Sequence, residues 1–160
     1  MSEGKNMNLV FRRIGMDEFE QVKALFYSVF TAEPWNDDWS DEEQLKLYLR
    51  DLMGQQNSLT FGLFEDGCLT GVSMGLIKHW YTGTEYCIDE LCIRRDRQGK
   101  GLGSRFLHEI EEGIRTLGLT QIFLQTDTFA PAYLFYQKNG YQELQGHVSF
   151  SKLIKKEAGE

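Results

Sequence analysis

A mixed α/β fold follows from three features of the sequence. Short alternating stretches crowd the segment 58–93, a strongly amphipathic helical stretch fills 101–117, and a nearly continuous apolar run, 120–127, comes directly after it. Consecutive strands joined by tight turns pair antiparallel, whereas a strand–helix–strand unit returns the chain to the same end of the sheet and pairs parallel. The prediction is a central, mostly antiparallel twisted sheet with one parallel strand pair, flanked by about four helices. At 160 residues, 41% hydrophobic and 26% charged, the chain reads as a single domain, 1–160, with a helical N-terminal part over about 1–57 and a core over about 58–145.

Taken in order, residues 8–14 alternate weakly and predict a strand. Beyond Asp17, the apolar residues Phe19, Val22, Leu25, Phe26, Val29 and Phe30 fall on one helical face. An irregular stretch, 31–39, contains Pro34. Ser40 with Glu43 reads as a capping box opening a second helix through Leu45, Leu47, Leu49, Leu52 and Met53, which ends near Gly54. Residues 58–64 alternate and run into the hairpin signal Asp66-Gly67, followed by strands over 68–79 and 85–93. The helix over 101–117 turns Leu102, Phe106, Leu107, Ile110 and Ile114 inward and stops at Gly118. The apolar run 120–127 predicts a strand covered on both faces. A short helix runs from Pro131 to Gly140, and 141–144 and 147–153 read as closing strands.

The segment 93–104 is the most informative. Glycines 99, 101 and 103 stand between a strand and a strong helix, where backbone N–H groups converge and the helix dipole adds positive charge. Arg94, Arg95, Arg97, Lys100 and Arg105 make this stretch basic in a chain of net charge −7. The combination suits a phosphate or pyrophosphate. A dinucleotide-binding fingerprint fits poorly, because Ser104 occupies its third glycine position and too little chain follows, although Asp127 lies at a suitable distance for a ribose contact. No GxxxxGK[ST] loop is present.

Gln98-Gly99-Lys100-Gly101-Leu102-Gly103 resembles the Q/R-x-x-G-x-G/A signature of the GNAT superfamily of acyl-CoA-dependent N-acyltransferases. The preceding strand, Asp89-Glu90-Leu91-Cys92-Ile93, is similar to the family's cofactor strand. The stretch from Ala132 through Tyr136 to Gly140-Tyr141 resembles its A-x-x-[LF]-Y-x-x-x-G-[FY] segment. The end of the apolar strand, Phe123-Leu124-Gln125-Thr126-Asp127, together with this segment resembles the aminoglycoside N-acetyltransferase branch. The resemblance implies a splayed parallel pair and acetyl-CoA as cosubstrate, held by the backbone of Leu91, Cys92 and Ile93 and by Gln98, Gly99, Lys100, Gly101, Leu102, Gly103 and Ser104. It also implies homodimers, for which Phe150 or the C-terminal strand could serve.

The implied reaction is direct attack of a primary amine on a thioester. The amine must first lose a proton, since an alkyl ammonium has a pKa of about 10.4. Asp89 and Glu90 are the candidate bases; strand alternation puts them on opposite faces, and either could face the cleft. Asp127 is a further candidate. A backbone N–H of 91–93 can meet the oxyanion, and Tyr136 can return a proton to the leaving thiolate. Cys92 has no nearby histidine and sits among apolar neighbours, so covalent catalysis is not expected.

The resemblance also implies that the N-terminal helices and the loop between them shape the acceptor pocket. Glu33, Asp37 and Asp38 with Trp35 and Trp39 form an acidic aromatic stretch that suits a cationic small-molecule amine, aminoglycoside- or polyamine-like. Trp80 and Tyr81 could close the pocket from the other side. Protein or peptide N-acetylation, or acyl-CoA binding without turnover, remain open as alternatives. The acidic balance argues against nucleic-acid binding, and no apolar run is long enough for a membrane span. Three cysteines without CxxC and three scattered histidines predict neither a disulfide framework nor a metal site. Residues 1–7 are polar and lack a secretory core, which predicts a cytoplasmic protein.

Overall fold

The computed structural model describes residues 8–157; the N-terminal stretch from which a cytoplasmic location was inferred lies outside the described residues. The elements run β1 (Leu9–Ile14), α1 (Phe19–Phe30), α2 (Glu42–Met53), β2 (Ser58–Glu65), β3 (Cys68–Trp80), β4 (Gly83–Ile93), α3 (Leu102–Thr116), β5 (Gln121–Leu124) and α4 (Pro131–Lys138). The chain forms two compact units, 1–125 and 126–160.

In the first unit the five strands lie in the order β1-β2-β3-β4-β5. Antiparallel pairing joins β1 through β4, and β4 pairs parallel with β5 across the α3 crossover. This is the mixed sheet that the sequence predicts. One face is covered by α1 and α2, whose Val22, Phe26, Leu45 and Leu49 pack with Val72, Met74 and Cys92 of the sheet. The other face is covered by α3, whose Phe106, Ile110 and Ile114 pack with Leu59, Phe61, Tyr86 and Ile88. All five residues expected on the inner face of α3 are buried, as are all six expected on α1.

Four expectations are corrected. The cap of α2 is Asp41, whose carboxylate accepts from the Gln44 N–H at 3.1 Å, so Ser40 and Glu43 do not form a capping box. Leu47 is 48% exposed; the inward position between Leu45 and Leu52 is taken by Tyr48 and Leu49. The strand β5 is short and only half-buried, because it ends the strand order rather than lying inside the sheet. Residues 141–144 and 147–153 form no strand: they join no ladder among the described residues, and Val148, Phe150 and Leu153 stay exposed. An alternating pattern makes a strand only where a neighbour satisfies its backbone.

The second unit holds α4, opened by Pro131 at its first turn. The Tyr133 hydroxyl donates to Glu143 at 2.7 Å and accepts from Gln137 at 3.2 Å, tying the helix to the segment that follows it. Tyr136 packs edge-on to Phe135 and tilted against Tyr141, with ring centroids 5.2 and 5.5 Å apart.

Candidate active site

Two features of β4 open a site at its C-terminal half. The first is the end of the parallel ladder. Its last pair is Ile88 with Leu124, yet β4 continues to Ile93. Beyond Ile88 no strand pairs with that edge among the described residues, so its backbone N–H and C=O groups, apart from the Ile93 carbonyl that accepts from Gln98, can pair with an amide-bearing ligand. The parallel pair implied by the resemblance is the one between β4 and β5.

The second feature is a β-bulge. Glu90 pairs with Met74 and Ile88 with Gly75, leaving Asp89 as the extra residue. Ile88 and Leu91 both pack on the α3 side, a spacing that strict alternation forbids. The bulge therefore breaks the expected alternation of Asp89 and Glu90 on opposite faces, and the Asp89 charge reaches both Glu90 and Tyr48. Gly75 permits this arrangement: a Cβ there would collide with the Cys87 carbonyl and lie 2.8 Å from Cε1 of Tyr86.

Glu90 lies under α2. The Tyr48 hydroxyl donates to its Oε1 at 2.6 Å. Burial pushes the Glu90 carboxyl up to about 7, the Tyr48 hydrogen bond pulls it down, and the charges of Asp89 and Asp37 add to the rise. Burial also raises Asp89, partly offset by Lys78. The Tyr48 phenol is raised far above its ordinary value by burial and by Glu90, so it stays a proton donor. Trp39 stacks on Tyr48 with centroids 5.3 Å apart, and Phe26 closes the cluster edge-on to Trp39 at 5.5 Å. Tyr48 was not among the residues singled out from the sequence. The signal was there: it lies on the inward stripe with Leu45 and Leu52, where a hydroxyl needs a partner.

The acidic stretch divides into two groups. Asp38 accepts from the Ser40 N–H, Asp41 caps α2, and Glu42 pairs with Lys23 and Lys46. Glu33 and Asp37 are exposed, and no ion pair engages them among the described residues. Trp35 and Trp39 are partly buried against the α1–α2 core, Trp35 against Phe30 at 5.7 Å. Trp80 is 57% exposed at the β3–β4 hairpin, opposite Gly83. The strand from Gly83 to Glu90 is roughly 23 Å long at about 3.3 Å per residue, so Trp80 stands well away from the carboxylates. Tyr136 and Asp127 belong to the second unit.

The glycine loop leaves β4 at Ile93. Arg97 forks onto both oxygens of Glu65, at 2.8 and 2.7 Å, and Glu65 is only 6% exposed. Gln98 donates its side-chain N–H to the Ile93 carbonyl at 2.8 Å, folding the loop back on the strand. Arg94 pairs with Asp96. That leaves Arg95, Lys100 and Arg105 without an ion pair among the described residues. Gly99 and Gly101 take φ of 74° and 80°, and a Cβ on either would meet open space. Gly101 opens α3 with no capping side chain and no acid in the first turn. A helix start with uncapped N–H groups, unpaired cations and open space in front fits a pyrophosphate. Leu102 contributes only its backbone there, since its side chain is buried under the sheet, as is that of Ile93. Cys92 is buried on the opposite face, where burial raises its thiol well above the ordinary range and keeps it un-ionised.

The sequence profile of the acetyltransferase (GNAT) family matches residues 19–141. The chain belongs to the GNAT acetyltransferase family. It is accordingly an acetyl-CoA-dependent N-acetyltransferase. Solved structures agree in fold. The aminoglycoside acetyltransferase meta-AAC0020, from an uncultured soil metagenomic sample and in complex with sisomicin, is 21% identical with a TM-score of 0.71, over 92% of this chain and 97% of that one. The aminoglycoside N-acetyltransferase AAC(6')-Iy in complex with CoA is 12% identical with a TM-score of 0.71, over 94% and 99%. An acetyltransferase, described as possible, from Clostridium difficile 630 gives a TM-score of 0.77 at 12% identity, over 92% and 99%. A search of curated proteins finds no significant match.

Proposed function

We propose that this GNAT enzyme acetylates a primary amine of a small polycationic acceptor, aminoglycoside- or polyamine-like, with Glu90 as the general base. The observation that carries this reading is the Glu90 carboxyl itself. It is pushed up to about 7 beneath an acidic aromatic loop, where a base near the working pH is most effective. An alkyl ammonium with a pKa of about 10.4 must be deprotonated before it can attack. Glu90 takes that proton through Oε2, the oxygen that Tyr48 leaves open. When bound, acetyl-CoA supplies the thioester. The glycine loop, from Gln98 to Ser104, holds its pyrophosphate, and the open edge of Leu91, Cys92 and Ile93 pairs with its amides and meets the oxyanion. Asp89 adds negative charge beside the ammonium.

Tyr136 returns a proton to the departing thiolate. Tyr136→Phe is expected to lose turnover by about 10²-fold while still binding acetyl-CoA. Single-turnover kinetics and calorimetry check this, and unchanged turnover removes Tyr136 from the mechanism.

Glu33 and Asp37 recognise the remaining ammonium groups, with Trp35 and Trp39 beside them on the same segment. The neighbour in complex with sisomicin lends support to a polycationic acceptor. The test compares a polyamine with a monoamine at pH 9, where Glu90 is ionised. Asp37→Asn should raise KM for the polyamine about two- to fivefold, the size of an exposed charge contact, and leave the monoamine unchanged. An equal effect on both, or better turnover of a lysine peptide than of either, contradicts this acceptor class.

A further inference from the structure

We propose that Tyr48 is the positioning residue of the reaction, fixing one oxygen of Glu90 so that the other is presented to the amine in a single direction. This rests on Glu90 being the base, and the test separates the two. The Tyr48 hydroxyl reaches across from α2 to Glu90 Oε1 at 2.6 Å, a charge-assisted geometry. Among the described residues no other hydrogen bond engages Glu90, so Oε2 has no competing partner. A carboxylate held at one oxygen has its second lone-pair direction set; one held at neither rotates about its last bond.

The Tyr48 ring is itself held in place. Trp39 stacks on it at an interplanar angle of 17°, Phe26 packs on it with centroids 6.0 Å apart, and the neighbouring Leu49 is fully buried and anchors the helix. Trp39 belongs to the segment between α1 and α2 that also carries Glu33 and Asp37. The stretch that meets the acceptor therefore packs directly on the residue that aims the base.

The groups facing Glu90 are Tyr48 from α2, Asp37 from the α1–α2 segment, and Asp89 and Cys92 from β4; Lys78 of β3 acts on Asp89. Of these, only Tyr48 favours the ionised carboxylate. Tyr48→Phe keeps the ring and its stacking and removes only the donor, so the base becomes harder to ionise.

The experiment is the pH profile of kcat/KM for wild type, Tyr48→Phe and Glu90→Gln on one amine. Tyr48→Phe should move the acidic limb upward by about one pH unit, as expected for losing one charge-assisted hydrogen bond. Activity then falls about tenfold more at pH 6 than at pH 9, where a loss in kcat remains because Oε2 is no longer held in one direction. Tyr48→3-fluorotyrosine, a stronger donor of nearly the same shape, should move the limb downward, and it covers the case in which the phenylalanine variant does not fold. A limb that stays in place in either variant, or a phenylalanine variant that regains the full wild-type rate at pH 9, overturns the positioning role. If the limb survives in Glu90→Gln, the base assignment fails instead.

Discussion

Glu90→Gln should lower kcat/KM by about 10²–10⁴-fold, the usual worth of a general base, and abolish the acidic limb of the pH profile. In the wild type the rate should climb as the carboxyl ionises through about pH 7 and level off above it. Asp89→Asn, by contrast, should keep the limb. Stability separates this from a folding defect. The folded protein keeps a proton on Glu90 up to about pH 7, whereas the carboxyl's ordinary value is 4.5. The wild type therefore loses stability as pH rises through that window, and the Glu90→Gln variant, with nothing to ionise there, does not. The variant's thermal midpoint should match or exceed the wild type's at pH 8, while its activity is gone. A limb removed by Asp89→Asn and retained in Glu90→Gln would exchange the roles of the two acids.

Gly75→Ala should be the most damaging single methyl in the sheet. The added Cβ meets the Cys87 carbonyl, which is backbone and cannot rotate away, and the buried ring of Tyr86. Overpacking of this kind costs about 2–3 kcal/mol, or roughly 5–10 °C in thermal midpoint for a chain this size. Because Gly75 sits opposite the bulge, β3 and β4 can separate only by moving Asp89 and Glu90 as well. The folded fraction should therefore also lose kcat/KM. A midpoint within about 1 °C of the wild type, which is less than 1 kcal/mol, would mean that the strands part there at little cost.

Much of this was legible in the sequence because it rests on periodicity and local turn chemistry. The inner faces of α1 and α3, the hairpin at Asp66-Gly67 and the glycine loop are all set by residues close together in the chain. The bulge at Asp89 was not legible: strict alternation is the default for a strand, and the departure from it is specified by Gly75 on the neighbouring strand. Tyr48 was missed for a related reason. On α2 it reads as one more inward residue, and its partner lies forty-two positions away on β4. The closing strands failed differently. Their alternation is real, but a strand also needs a ladder, and 147–153 joins none among the described residues. The basic loop was overcounted, since Arg97 and Arg94 are engaged by Glu65 and Asp96.

The central claim is that this GNAT enzyme acetylates a small polycationic amine. Mass spectrometry of a mixed pool tests it most directly: aminoglycosides, polyamines, lysine-containing peptides and amino acids incubated with the protein and acetyl-CoA. The expected result is a mass gain of about 42 Da, one acetyl in place of a hydrogen, on a polyamine or an aminoglycoside, formed by direct transfer. Acetylation confined to the peptides, or no product from a pool in which acetyl-CoA is bound, would contradict it.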